Sequence, residues 1–264
     1  SIALNNYLFS CSKISLKNLE KTPNKRTSFL FYIVRFLILP ILAFYIAKYT
    51  VPEYAVGVLL ISLMPVGATA TAVASICDSN PSFALKATII THILAPLTVP
   101  LIIWAVAGQY IEFDILNMLK TLLITIFAPS ILYFLFVEKR PSWKKWVTNE
   151  AQFYSIVLTG IMIAVVVALQ RHFFFSDITL VSYSVIIGCI LYFCFYACAW
   201  FFPTVKSIQD KKAFAICSGV NNIALSAGLA ALYFSPLTVL FRALGEIPWV
   251  LSVAAFKKIS QKFK

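Results

Sequence analysis

The sequence predicts an all-α, polytopic membrane protein with about eight spans, two of them discontinuous, and three observations predict it. The chain is 61% hydrophobic and 12% charged, with a mean hydropathy of +0.88, a balance that no water-soluble domain of 264 residues tolerates on its surface. Its apolar runs reach about 20 residues, enough to cross roughly 30 Å of hydrocarbon. Two of those runs are interrupted in corresponding places by Pro, Gly and small polar residues.

In chain order the runs cover Ser28–Lys48, Tyr54–Ile76, Ser82–Ala107, Ile115–Val137, Ala151–Gln170, Thr179–Phe202, Ala213–Phe234 and Leu237–Phe256. The chain opens on "SIALNNYLFS", which reads as the tail of another span and predicts an incomplete N-terminus. The net charge of +12 is set by topology, not by nucleic acid: sixteen of the 22 Lys and Arg fall in alternate connections, around Lys13–Arg26, Lys139–Lys145, Lys206–Lys212 and Lys257–Lys264. The opposite connections hold Lys48 and Arg171 beside Glu53, Glu112, Asp114 and Asp177. The positive-inside rule therefore places the Lys13–Arg26 loop and the C-terminus in the cytoplasm. The six cysteines show no metal-ligand spacing and read as small apolar residues.

The second run reads "AVGVLLISLMPVGATATAVASI" and breaks at Pro65 and Gly67; the seventh reads "AICSGVNNIALSAGLAALYF" and breaks at Gly219, Asn221 and Asn222. Buried amides in hydrocarbon need partners or a cavity, so the pair of asparagines marks a site. Unwound turns free carbonyls that hold a cation, while half-helix N-termini present N–H groups to an anion. By the charge pattern one interrupted run heads inward and the other outward, the sequence signature of an inverted-repeat secondary transporter with two discontinuous crossing helices.

At these residues the chain resembles the bile acid:sodium symporter family and its bacterial homologues. The likeness rests on "RFLILP" in the first run, "LMPVGATATAVASICDSNPSFALKATIITHILAPLTVP" across the second and third, and "AICSGVNNIALSAGLAALYFSP" in the seventh. It implies one transmembrane transporter domain over 1–264, with core-like parts at 28–107 and 179–256 and a panel-like part at 115–170, matching the third to tenth helices of the family. It also implies an integral protein of the bacterial inner membrane that carries a small organic anion coupled to sodium, the substrate binding between core and panel.

The cation motif departs from the family. Its Glu-x-Gly-x-Gln-Asn falls here on Cys217, Ser218, Gly219, Val220, Asn221 and Asn222, so the carboxylate is replaced by a thiol. A Ser-Asn pair falls on Ala70 and Thr71, a further Ser on Ala84, and its companion Thr is retained as Thr88. A family Gln aligns with Arg35, eight residues into the first run. Arg35 either snorkels to the membrane surface or sets its guanidinium where the relatives hold sodium. The cation-site equivalents are thus Arg35, Ala70, Thr71, Ala84, Thr88, Cys217, Ser218 and Asn221, and the substrate-binding candidates are Thr69, Thr71, His92, Ser218, Asn221 and Asn222.

His92, one turn from Thr88, reads as a hydrogen-bonded interior histidine or a proton carrier. Arg242 and Glu246, spaced i,i+4, predict an ion pair on one helix face. Lys86 and Lys120 lie near span ends and are expected to snorkel. Two histidines and scattered span-end acids supply no nucleophile–base pair, so an enzyme is not expected. The expected partners are a small organic anion and the lipid bilayer; no cofactor is expected, and sodium is left open. The alternatives are a proton-coupled or uncoupled relative and a non-transporting membrane sensor; arsenite efflux has only a thiol at Cys77 or Cys217 in its favour.

Overall fold

The computed structural model describes residues 24–109, 114–169, 171, 178–202, 204–205 and 207–263. In chain order the helices are α1 (Lys25–Thr50), α2 (Ala55–Leu63), α3 (Ala70–Ile76), α4 (Pro81–Ala107), α5 (Ile115–Val137), α6 (Pro141–Leu169), α7 (Ile178–Trp200), α8 (Ile208–Gly219), α9 (Ile223–Tyr233) and α10 (Pro236–Ser260). Five of them, α1, α4, α5, α7 and α10, are long and apolar enough to cross a membrane. The opening segment up to residue 23, most of the Gln109–Asp114 connection, Lys206 and Asp177 lie outside the described residues.

Local chemistry sets the boundaries. Asn24, Asn80, Asp114 and Ser235 each cap a helix by accepting a backbone N–H from its first turn. Proline follows directly in α4 and α10, where its missing N–H costs nothing. Inside α1, Pro40 cannot donate to the turn before it and its ring crowds the carbonyl four residues back, and there the helix widens into a π turn over Val34–Ile38. That wide turn carries Arg35. Helix α6 starts ten residues before the apolar run expected at Ala151, because Pro141 is a good first residue and hydropathy marks only the apolar part of a helix.

The two interrupted runs are interrupted helices. Pro65 pushes Met64 to an extended conformation (ψ 139°), which ends α2, and the chain resumes as α3 at Ala70. Helix α8 ends at Gly219, and Asn222 starts α9 by accepting from the N–H of Leu225 at 3.0 Å. The breaks divide the interior in two. One apolar cluster holds α2, α9, the first part of α10 and the second half of α4; the other holds α3, α8, the end of α10 and the first half of α4. In the second, Phe83 and Phe214 stack at 4.4 Å with planes 2° apart. Lipid tails are as apolar as these side chains, so close packing, not exclusion of water, holds such layers together. Below the second cluster Ser79 donates to the carbonyl of Gln209 (3.0 Å) and Asn80 to Asp210 (3.1 Å), tying the α3–α4 turn to the start of α8.

Candidate functional site

The breaks meet. Val66 and Asn221 form an antiparallel bridge, the Gly67 N–H donates to the carbonyl of Val220 at 2.7 Å, and the Asn222 N–H donates to that of Pro65 at 2.8 Å. The approach requires glycine at 67, since a Cβ there would lie 2.7 Å from the Asn221 carbonyl oxygen. It requires glycine at 219 as well, where a Cβ would collide with the Tyr196 ring. Residues 65–67 and 220–222 thus satisfy part of one another's backbone in place of the helical bonds they lack.

The ends of α2 and α8 also leave carbonyls without helical partners, and Arg35 takes one from each. Its Nη1 donates to the Ser62 carbonyl (2.8 Å), its Nε to the Ser218 carbonyl (2.9 Å), and its Nη2 to Asn221 Oδ1 (2.9 Å). Asn221 Nδ2 in turn donates to the Ile61 carbonyl at 2.9 Å. The guanidinium lies 4.0 Å from the centre of the Phe195 ring and 4.9 Å from that of Phe36. Arg35 is 1% exposed, so it does not snorkel. That alternative is overturned because the π turn aims the side chain inward, onto oxygens that a helix interrupted at a proline must leave free.

A buried charge needs compensation. The ion pairs among the described residues join Lys144 to Glu138 and Arg242 to Glu246, and no carboxylate reaches Arg35. Compensation comes from the backbone instead. Helices α2 and α8 both end on the guanidinium, each C-terminus worth about half a negative elementary charge, so the two together offset about one positive charge.

A second cluster lies beside the first. Asn222 Nδ2 sits 2.8 Å from His92 Nε2, and His92 Nδ1 sits 2.8 Å from the Thr88 carbonyl. Since Asn222 Oδ1 is occupied by the Leu225 N–H, its amide nitrogen faces the ring and donates; Nε2 accepts and Nδ1 carries the proton toward Thr88. His92 is thereby a hydrogen-bonded interior histidine in a defined tautomer, and it holds the cap of α9.

The other candidates fall differently. Ser218 offers its carbonyl to Arg35, while its hydroxyl donates to the Phe195 carbonyl at 2.6 Å. Thr88 bonds back to the Ala84 carbonyl at 2.9 Å. Ala70, Ala84 and Cys217 pack, fully buried, in the second apolar cluster. Thr69 is exposed at the start of α3, and the buried Thr71 hydroxyl has no hydrogen-bond partner among the described residues. Sequence reasoning missed Ser62, Thr91 and Phe195. Thr91, whose hydroxyl accepts the Val66 N–H at 3.1 Å, could have been found by its place one turn from Thr88. Ser62 acts through its carbonyl, which no side chain advertises.

The chain is similar to known transport proteins. A family model described as the sodium bile acid symporter family matches residues 6–177. An uncharacterized sodium-dependent transporter of Bacillus subtilis, YocS, is 27% identical over 221 residues, covering 81% of this chain and 67% of the relative. YbaS of the same organism is 23% identical over 217 residues, 81% and 71% of the two chains. The "Probable sodium/metabolite cotransporter BASS1, chloroplastic" of Arabidopsis thaliana is 25% identical over 225 residues; the match spans 82% of this chain and about half, 54%, of that relative.

Proposed function

The chain belongs to the sodium bile acid symporter family, and we propose that this membrane transport protein carries a small organic anion by alternating access, with the Arg35 guanidinium standing where relatives hold a coupling cation. One observation carries the reading: Arg35 fills a cage of carbonyl oxygens, from Ser62, Ser218 and Asn221, of the kind that binds sodium. Three of the positions the resemblance assigns to cation ligands support it, since Ala70, Ala84 and Cys217 offer no side-chain oxygen, and a fourth, Thr88, turns its hydroxyl to the Ala84 carbonyl. In this reading the fixed charge supplies the electrostatics that the ion provides elsewhere. Transport is then uncoupled from sodium.

The finer architecture follows from the same proposal. Eight spans, counting each interrupted pair as one and α6 as another, form two inverted halves. The core (28–107 and 179–256) moves against the panel (115–170) around the crossing, in a bacterial inner membrane with the C-terminus cytoplasmic. Asn221, Asn222 and the exposed Thr69 face the anion as the core moves. No chemistry is assigned to the site beyond binding.

A second reading is sodium coupling, favoured by the names of two relatives, which say sodium of those proteins. Thermal unfolding of the full-length purified protein against a panel of organic anions, with sodium or with choline, decides between them. Ligand binding raises the midpoint by linkage. An anion-dependent rise that is equal in the two salts is the expected result. A rise confined to sodium would leave Arg35 a structural residue, and no rise with any anion would favour a sensor.

A further inference from the structure

Beside the crossing, a cavity of about 460 Å³ opens between α1 and α4. Its lining follows a helical stripe on each, from Lys25 through Tyr32 to Leu37 and from Lys86 through Leu94 to Ile102, and its inner wall is Leu63 and Pro65 at the end of α2. Both helices begin at the same end of the cavity, where Phe31 and Phe83 lie 6.1 Å apart, so the two positive helix ends face that end, with Lys25 opening α1 and Lys86 in the second turn of α4. Beyond Lys25, Ser28 and Lys86, the two threonines of the lining are spent internally, Thr91 on the Ala87 carbonyl and Thr98 on the Leu94 carbonyl, while the buried Tyr32 hydroxyl has no hydrogen-bond partner among the described residues. The groove is cationic at one end and, the Tyr32 hydroxyl apart, apolar along the rest.

Its length fits one leaflet. At 1.5 Å per residue the stripe is about 18 Å on α1 and about 24 Å on α4, against roughly 15 Å for half the hydrocarbon core plus an interfacial layer. Lysines at the head of such a groove lie where lipid phosphates lie, and anionic headgroups attract them there. We infer that the groove binds one anionic phospholipid of the leaflet on the Lys25 side, its phosphate between Lys25 and Lys86 and an acyl chain laid along α1 and α4 as far as Pro65. The site adjoins the Arg35 cage through Phe36 and Leu63 but does not include Arg35, and its test does not depend on what the protein carries.

The test is thermal unfolding of the full chain in an uncharged detergent, supplemented with phosphatidylglycerol, with phosphatidylcholine of the same acyl chains, or with glycerol phosphate alone. Phosphatidylglycerol is expected to raise the midpoint, and the other two to leave it nearly unchanged. The double change Lys25→Gln with Lys86→Gln is expected to bring the phosphatidylglycerol shift down to that of phosphatidylcholine. Lys257→Gln with Lys258→Gln, exposed on α10, is expected to keep it. Thr98→Phe, which fills the apolar end, is expected to weaken the shift while both lysines remain. A shift that survives the Lys25 and Lys86 changes overturns the inference. So does one reproduced by glycerol phosphate, which would make the groove a small-anion site, or one lost equally in the α10 control, which would make it general surface charge.

Discussion

Arg35 and Arg242 are the two largest fully buried side chains among the described residues, 1% and 2% exposed, and they are neutralised in different ways. Arg242 has a carboxylate: Glu246 lies 3.5 Å away on the next turn of the same helix, as the i,i+4 spacing predicts, and Arg242 also donates to Ser226 Oγ and to the Ile223 carbonyl at 3.0 Å. Arg35 has no carboxylate among the described residues; it has dipoles, two carbonyls and an amide oxygen from three different segments, and the faces of two aromatic rings. A pair on one helix braces that helix wherever it goes. A guanidinium shared by α1, α2 and α8 locks three elements to one another, and its charge is matched only while both breaks stay in register.

The largest effect should therefore come from removing Arg35. Arg35→Met strands the Ser62 and Ser218 carbonyls and Asn221 Oδ1 in a dry interior, where each unpaired group costs about 1–3 kcal/mol, so a loss on the order of 3 kcal/mol or more is expected. Arg242→Met leaves Glu246, which at 21% side-chain exposure can take up a proton, and Ser226, which already donates to the Ile223 carbonyl at 2.8 Å. About 1–2 kcal/mol is expected there, from the lost hydrogen bonds. Thermal midpoints of the two variants in one detergent make the measurement; an equal or larger loss from Arg242→Met would break the contrast.

The next effect is a gain. Arg35→Gln with Cys217→Glu returns the two ligand types that the family resemblance assigns to these positions and a net negative charge, so anion binding should become sodium-dependent. Neither single change should achieve it. Arg35→Gln supplies no carboxylate, and Cys217→Glu would meet the guanidinium as a counter-ion. Binding of the anions that stabilise the parent protein, compared in sodium and choline, reads the outcome, and sodium dependence in either single variant would count against the cage.

Smaller still is the separation of the two asparagines. Asn221 serves Arg35 and the Ile61 carbonyl, whereas Asn222 serves His92 and the first turn of α9. Asn222→Ser keeps an oxygen for the Leu225 N–H but takes the amide donor from His92 Nε2, so a loss of about 1–3 kcal/mol is expected together with loss of anion binding; Asn222→Leu should cost about 1 kcal/mol more as the cap is lost. Asn221→Leu should cost more than either. If Asn222→Ser binds the anion normally, the amide is a structural cap only.

How far all this could be read from the chain depends on which atoms do the work. Pro65, Pro40 and the glycines at 67 and 219 announce themselves, because the backbone geometry they force or permit is written in the residue type. The i,i+4 spacing likewise announces Arg242 and Glu246. The position of Arg35 was legible as a buried cation in an apolar run, but its partners were not. Two of the three are backbone carbonyls, which every residue has, and Ser218 serves Arg35 through its carbonyl while its hydroxyl binds the Phe195 carbonyl. The extent of α6 was illegible for a different reason, since helix formation continues through Ser142–Glu150 after hydropathy has fallen.

The smallest effect is expected at the shortest ion pair. Lys144 Nζ lies 2.7 Å from Glu138 Oε1, closer than Arg242 to Glu246, yet both side chains are about two-fifths exposed, at 42% and 41%. The hydrogen bond from Lys144 holds the Glu138 carboxyl below its ordinary range. A carboxyl depressed in the folded state contributes stability that is fully present above the unfolded value, about 4.3 for glutamate, and is lost as pH falls through the folded one. Water and salt screen an exposed pair, so the contribution stays under about 1 kcal/mol at any pH. Lys144→Ala should thus leave the midpoint at neutral pH and 0.15 M salt almost unmoved, show a small loss at low salt, and match the parent once the pH is below the folded value of Glu138. Unfolding scans at two salts and two pH values read all three. A loss comparable to that of Arg35→Met would mean that distance, not burial and the number of elements joined, decides what a charge contributes in this protein, and the distinction between the two arginines would fall with it.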